Sequence, residues 1–254
     1  MYSAIKNSDF KFSQEQQLNL DSESLELPIS EHLEEFRQRL FQSLGFTLFT
    51  IGVVFFKITP IVKFLEAPVQ DIKFIQLSPG EYFLSTVKIA FYGGLLFSIP
   101  FIISQIVFYI LPGLTKSEKT TIIPILMTSV ILFILGLFFA YYILIPAALN
   151  FFIGYSKSII EPIWSFDQYF DFILFLFYST GLSFQVPILQ IVIGLTGIIN
   201  GKQMLSAWRY VVLAATIMSA ILTPSTDPVT QLCLTIAIVF LYITGGLVLI
   251  LYGK

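Results

Sequence analysis

Six long apolar runs decide what this chain can become. They read Phe41 to Thr59, Phe83 to Leu111, Thr121 to Ile145, Phe166 to Ile193, Tyr210 to Leu222 and Val229 to Tyr252. A bilayer core about 30 Å thick needs about 20 helical residues to cross it. In lipid, a helix satisfies all of its own backbone groups, so spans of this kind are helical. The pattern predicts an all-α integral membrane protein with six transmembrane helices. The second and fourth runs exceed a span, so they tilt, bend or protrude. Pro100 and Pro187 are the expected kink points, since each removes a backbone donor. The third run is bounded by Pro124 and Pro146. The fifth covers only about 20 Å, so it is either re-entrant or set where the bilayer thins. The turn signal Thr223-Pro-Ser-Thr-Asp-Pro228 leaves the last two runs as a tight hairpin.

Composition removes most other classes. The chain is 56% hydrophobic and only 12% charged, with a mean hydropathy of +0.84, far from the balance of a soluble domain. A net charge of −2 without a basic cluster excludes nucleic acid as a partner. One cysteine, Cys233, excludes an intramolecular disulfide and reads as a small packed hydrophobe. One histidine, His32, builds no metal site alone. No nucleophile–base set or phosphate loop is present, so no enzyme chemistry and no cofactor are expected. Residues 1–29 are polar and acidic without an apolar h-region, which reads as a flexible tail rather than a targeting peptide. Residues 30–254 form the membrane domain.

Charge sets the expected orientation. With six spans both ends share one side, which collects Lys6, Lys11, Arg37, Arg39, Lys116, Lys119, Lys202, Arg209 and Lys254. All three arginines fall there, so both termini are expected on the cytoplasmic or stromal side. The loops Pro60 to Tyr82 and Asn150 to Ser165 are then on the trans side. No internal repeat of the inverted-repeat transporter kind is seen.

The most charge-dense stretch is Ser30 to Leu40, Ser-Glu-His-Leu-Glu-Glu-Phe-Arg-Gln-Arg-Leu. Ser30 is the expected N-cap, and Glu31, Glu34 and Glu35 suit the positive end of a helix dipole. Glu35 pairs with Arg39 at four residues, and Glu34 with Arg37 at three. The bland reading is a solvated helix whose charges only set topology. The sharper one is a recognition surface. In the loop Gly113 to Lys119, Glu118 stands at the start of the third span. Glu35 and Glu118 on one face would make a two-carboxylate site for a basic ligand, and guanidinium forks fit carboxylates bidentately.

Polar residues inside the spans form a second group: Gln105, Gln185, Gln190, Thr223 and Gln231. Amides in lipid need partners, so they either hold this chain's helices together or accept a guest helix.

These residues carry a resemblance. The chain is similar to the C subunit of the twin-arginine protein translocase, the TatC family, over nearly everything from Ser30 onward. The motifs are His-Leu-Glu-Glu-Phe-Arg-Gln-Arg-Leu at 32–40, Glu-Ala-Pro at 66–68, Ser-Pro-Gly-Glu-Tyr-Phe at 78–83 and Leu-Pro-Gly-Leu-Thr-Lys-Ser-Glu-Lys at 111–119. Phe-Ala-Tyr at 139–141, Ser-Phe-Gln-Val-Pro at 183–187 and Leu-Thr-Pro-Ser-Thr-Asp-Pro at 222–228 follow. The resemblance implies a concave cup of six helices that receives twin-arginine signal peptides of folded cargo. It implies that Glu35 and Glu118 recognise the signal arginines and that Arg37 and Arg39 shape the same surface. It places Gln105, Gln185, Thr223 and Gln231 on or near polar patches that dock single-span TatA-like and TatB-like subunits in a multimeric complex. Pro68 and Asp227 match trans-side positions that set loop shape. Transport by such a protein is driven by the proton gradient. Two departures stand out: Gln185 where many members carry glutamate, and Ile243 after Tyr242 where many carry another. Gln185 and the Thr-Pro-Ser-Thr-Asp-Pro turn resemble plastid and cyanobacterial versions, which implies a plastid thylakoid membrane, with a bacterial inner membrane as the alternative.

Two rival functions remain at this stage. One is a small secondary transporter with Gln105 and Gln185 as a midplane site. The other is a membrane scaffold.

Overall fold

Hydrophobic length is realised as helix length. The structure, a computed structural model, describes residues 29–69, 73–110, 116–156, 163–195, 197, 199–223 and 227–251. The tail assigned to residues 1–29 lies outside these except for Ile29.

Helix α1 spans Ile29–Phe56 and takes in both the charged stretch and the first apolar run. It starts one residue before Ser30, so Ser30 is inside the helix and not its N-cap. Helix α2, Ile58–Glu66, follows directly and buries Val62 and Leu65. A 3₁₀ turn, Ala67–Val69, holds Pro68. Helix α3 runs Glu81–Ile110 as one element across Pro100. Helix α4 spans Lys116–Phe139, so Lys116 to Lys119, expected in a loop, are helical.

The third span does not stop at Pro146. Proline has no N–H to give to the carbonyl four residues back, and its ring crowds that carbonyl. The chain widens into a π turn at Ala140–Leu144, where Ile145 N–H donates to Ala140 O. The helix then resumes as α5, Ile145–Ser156. A single π turn thus carries the span past a proline that would otherwise end it.

Helices α6 (Phe166–Ser183) and α7 (Val186–Leu195) divide the fourth span. The break precedes Pro187 instead of falling on it. Phe184 N–H still reaches Thr180 O and Gln185 N–H tightens to Leu182 O, both at 3.0 Å. Pro187 then sits in the first turn of α7, where a missing N–H costs little. Helix α8 is Gly201–Ser206, α9 is Trp208–Leu222 and α10 is Pro228–Leu251. Helix α9 is the short fifth span; its 15 residues reach about 22 Å. Among the described residues, five other stretches are long and apolar enough to cross a membrane.

Between the spans the sequence showed loops, but the chain forms a two-stranded parallel ribbon. Strand β1, Lys73–Ile75, pairs with β2, Ile163–Ser165. The largest buried cluster lies beside it and includes Ile89, Phe133, Ile145, Phe170, Ile173 and Leu176. Helix α2 is tied to this core at its C-terminal end, where orphan carbonyls need donors. Tyr141 OH donates to Phe64 O at 3.1 Å, and Tyr169 OH to Leu65 O at 2.7 Å. Helix α1 packs mainly on α3. The fit requires Gly94, whose Cβ, if present, would stand 2.4 Å from Ile51 Cα.

Candidate functional site

Helix α3 carries a polar cluster at each end. At its C-terminal end, Arg39 gathers three bonds. Its Nε and Nη2 donate to Glu35 Oε1 at 3.0 and 2.6 Å, and its Nη1 donates to Gln105 Oε1 at 3.2 Å. The guanidinium also lies over the Phe108 ring, 5.6 Å from its centre. Glu35 and Arg39 keep a quarter of their side-chain surface exposed. Both Arg39 bonds fall on one carboxylate oxygen of Glu35, so Oε2 takes no part in them. Beside this cluster, Arg37 pairs with Glu34 on the open face of α1. Both intrahelical pairs expected from spacing are present. Glu118 belongs to the first turn of α4; its side chain lies outside the described residues.

Gln105 therefore joins α1 to α3. Gln185 is also used inside the chain. It is 2% exposed, accepts from Ser129 Oγ at 2.9 Å and donates to Ser129 O at 3.2 Å. The break between α6 and α7 turns this amide toward α4. A neutral amide fits a buried pocket that offers one donor and one acceptor. Gln190 is buried on α7 beside Tyr242, and neither of its amide atoms makes a hydrogen bond of good geometry among the described residues. It lies where Gly245 leaves room on α10: a Cβ there would stand 2.2 Å from its Oε1.

Thr223 is buried and ends α9, its N–H bonded to Ser219 O at 2.8 Å. Asp227 is buried and caps α10. Its carboxylate accepts from Thr230 N–H at 2.9 Å and from Thr230 Oγ at 2.6 Å. Gln231 is half-buried one turn into α10. The turn between them, 224–226, lies outside the described residues. Cys233 packs, partly buried, against the apolar cluster of Leu144, Ala215 and Leu234.

The N-terminal end of α3 holds a network that sequence spacing did not reveal. Lys88 Nζ donates to Asp167 at 2.8 Å and to Asp171 at 2.9 Å, and Ser85 Oγ adds a bond to Asp167 at 2.7 Å. Glu81 accepts from Leu77 N–H, Ser78 N–H and Ser165 Oγ, which binds the strand pair to the helix ends. Two signals were available: Lys88 is a cation inside an apolar run, and Asp167 and Asp171 share one helical face. Outside the spans, burial raises the Glu66 carboxyl above its usual range, against the opposing effect of nearby Lys63.

Crystal structures of the twin arginine translocase receptor TatC share this arrangement of helices. One matches with a TM-score of 0.73 and 33% identity, covering 85% of this chain and 98% of that one. A second, in detergent, gives 0.76 and 32% over 86% and 99%. The fold thus defines a six-helix, multi-pass membrane subunit of the protein-translocase class. A family model for the Sec-independent protein translocase protein TatC matches residues 31–236. The chain belongs to the TatC family. It is 58% identical to an uncharacterized tatC-like protein ycf43 of Trieres chinensis, over 95% of this chain and 90% of that one. It is 47% identical to TatC of Synechocystis, over 91% of each. To the chloroplastic TATC of Arabidopsis thaliana it is 45% identical, over 97% of this chain and 72% of that one.

Proposed function

We propose that the Glu35 end of the bundle receives the twin-arginine signal peptides of folded cargo. Glu35 and Glu118 accept the two guanidiniums, and Arg37 and Arg39 tune the surface around them. One observation carries this reading. Glu35 is held in place by Arg39, which is itself held by Gln105, yet a quarter of the Glu35 side chain stays exposed. Such a group is pre-positioned without being saturated, so an incoming guanidinium finds a fixed, partly desolvated acceptor.

On this reading the Glu35 end faces the cytoplasm or stroma, and the strand pair faces the trans side. The protein is not an enzyme; it works in a multimeric Tat complex and the proton gradient drives transport. Its chloroplastic and cyanobacterial relatives favour the thylakoid membrane. Single-span TatA-like and TatB-like partners dock on the α9–α10 hairpin, where Thr223 and Gln231 lie. Gln105 and Gln185 serve the chain's own packing first, through Arg39 and Ser129. Pro68 and Asp227 shape the trans-side turns, Asp227 by capping α10.

The test is binding of a twin-arginine peptide to the purified protein. Glu35→Ala and Glu118→Ala should each cost about 1.5–3 kcal/mol, the range for a charge-assisted bond, or about tenfold to a hundredfold in Kd. A twin-lysine peptide should bind wild type about as weakly as the variants bind the arginine peptide. Undiminished binding by both variants would return the charged stretch to a topology signal.

A further inference from the structure

The strand pair at the Lys88 end has an open edge. β1 lies along one side of β2. Along the other side, among the described residues, no strand or backbone bond continues the sheet. Successive residues of a strand turn their N–H and C=O groups to opposite edges, so part of the β2 backbone faces away from β1. Natural sheets blunt such edges with charge, lysine above all. β1 carries Lys73, whereas β2, Ile163–Ser165, carries no charge. The edge is held from behind: Trp164 stacks on Tyr169, ring centres 6.1 Å apart, and Ser165 Oγ donates to Glu81. A cavity of about 410 Å³ runs beside this strand. Ile163, Trp164 and Ser165 all line it, residues from both faces of β2, and no residue of β1 does. The cavity therefore follows the open edge. Its far wall comes from α5 and α6, with Phe152 and the exposed amide of Gln168. Tyr155 and Ile163 stand exposed at its rim.

Edge and cavity together select the occupant. The lining holds no charged side chain, so an anionic headgroup meets no cation there. An acyl chain has no donor or acceptor for a strand edge. A helix has already used its backbone groups. An extended peptide matches both features: its main chain pairs with β2, and alternate side chains enter the aromatic-walled cavity. A third strand also strengthens a ribbon that two strands hold weakly, and a preformed edge leaves only the peptide to be ordered. Distance says which peptide. Gln105, which holds Arg39, and Glu81, which holds β2, lie about 36 Å apart along α3. A chain whose arginines sit at Glu35 and which crosses as a helix reaches the ribbon about 24 residues later. We propose that the open edge of β2 captures, as a third strand, the extended stretch of a cargo chain that begins about 20–25 residues past its arginine pair. A large apolar side chain of that stretch fills the cavity. The choice of occupant rests on the signal-peptide reading of the Glu35 end; the edge and the cavity do not.

The experiment replaces the exposed Ile163 by photoreactive benzoylphenylalanine in the full-length protein and adds a synthetic twin-arginine signal peptide extended well past the crossing length. Cross-links should fall about 20–25 residues beyond the arginines, at alternate positions. Cross-links spread evenly along the peptide, or only to lipid, or only to a second copy of this chain, would overturn the proposal. A second arm uses unaltered protein and two peptides, N-methylated on alternate backbone nitrogens of that stretch in opposite registers. One register turns the methyl groups onto β2 and should weaken binding about tenfold; the other turns them away and should bind as the parent does. Equal affinity of the two peptides would refute strand pairing. Glu35→Ala separates this proposal from the reading it rests on. Loss of binding in Glu35→Ala with no cross-links from position 163 removes the edge and keeps the Glu35 reading. Undiminished alternate cross-links in Glu35→Ala keep the edge and remove that reading.

Discussion

The two ends of α3 use charge in opposite ways. At the Lys88 end the charges are tied across helices. One ammonium bridges two carboxylates of α6, Ser85 adds a further bond, and Glu81 gathers the adjoining loop. At the Glu35 end the strongest contacts are local, four residues apart on α1, and Arg39 reaches α3 through a bond of 3.2 Å to Gln105. A network closed on itself holds two helices in register. An open one, whose second carboxylate oxygen has no hydrogen bond among the described residues, leaves room for another partner. The same residue types therefore serve as a clamp at one end and as a candidate receptor at the other.

The sharpest way to separate the two ends is to move α1. Gly94→Ala places a methyl against Ile51 backbone, where no rotamer change relieves the overlap. Overpacking of this kind costs about 1–3 kcal/mol, and the backbone contact puts it near the top of that range. It should also part Arg39 from Gln105 while leaving Lys88 bonded. The variant should thus lose stability in thermal unfolding and bind a twin-arginine peptide less well. Unchanged peptide binding in a destabilised Gly94→Ala protein would show that the Glu35 end does not need α3 behind it.

The clamp is next in size. Lys88→Met leaves Asp167 and Asp171 facing each other without a counter-charge. Breaking a fully buried pair costs about 3–5 kcal/mol. Here the partners are a third to a half exposed, so about 2 kcal/mol is expected after solvent screening. Thermal unfolding in detergent should register it, with affinity for the signal peptide unchanged. A change in affinity as large as the change in stability would dissolve the division between the two ends.

This division was only half legible in the sequence. The spans could be read because lipid demands long apolar runs, and each of the six was found as a helix or a broken helix. The Glu35–Arg39 pair was readable because helical spacing fixes it. The partners that lie far apart in the chain were not. Arg39 and Gln105 are 66 positions apart, and Lys88 is 79 from Asp167; periodicity within one helix carries no information about which helix lies opposite. The charges around Lys88 could be sorted by side of the membrane but not paired. Pro146 misled because a π turn absorbs it, and three-residue strands are too short to show alternation.

The smallest effect discriminates best. Glu35 and Arg39 form an i,i+4 pair that is a quarter exposed, so its contribution to stability should be about 0.5 kcal/mol. A double-mutant cycle with Glu35→Gln, Arg39→Gln and the double variant should show that small coupling in unfolding. The same cycle read in peptide binding should give a larger effect, whose sign for Arg39 is the informative part. Glu35→Gln removes the acceptor charge and weakens binding, whereas Arg39→Gln frees that carboxylate and loses only the support it gave. If Arg39 merely competes for Glu35, its removal strengthens peptide binding. If Arg39 positions Glu35 through Gln105, its removal weakens binding, and Gln105→Leu reproduces the loss in the presence of Arg39. The bond to Gln105 favours the second outcome, because a guanidinium anchored on α3 holds the carboxylate at a fixed height above the bundle.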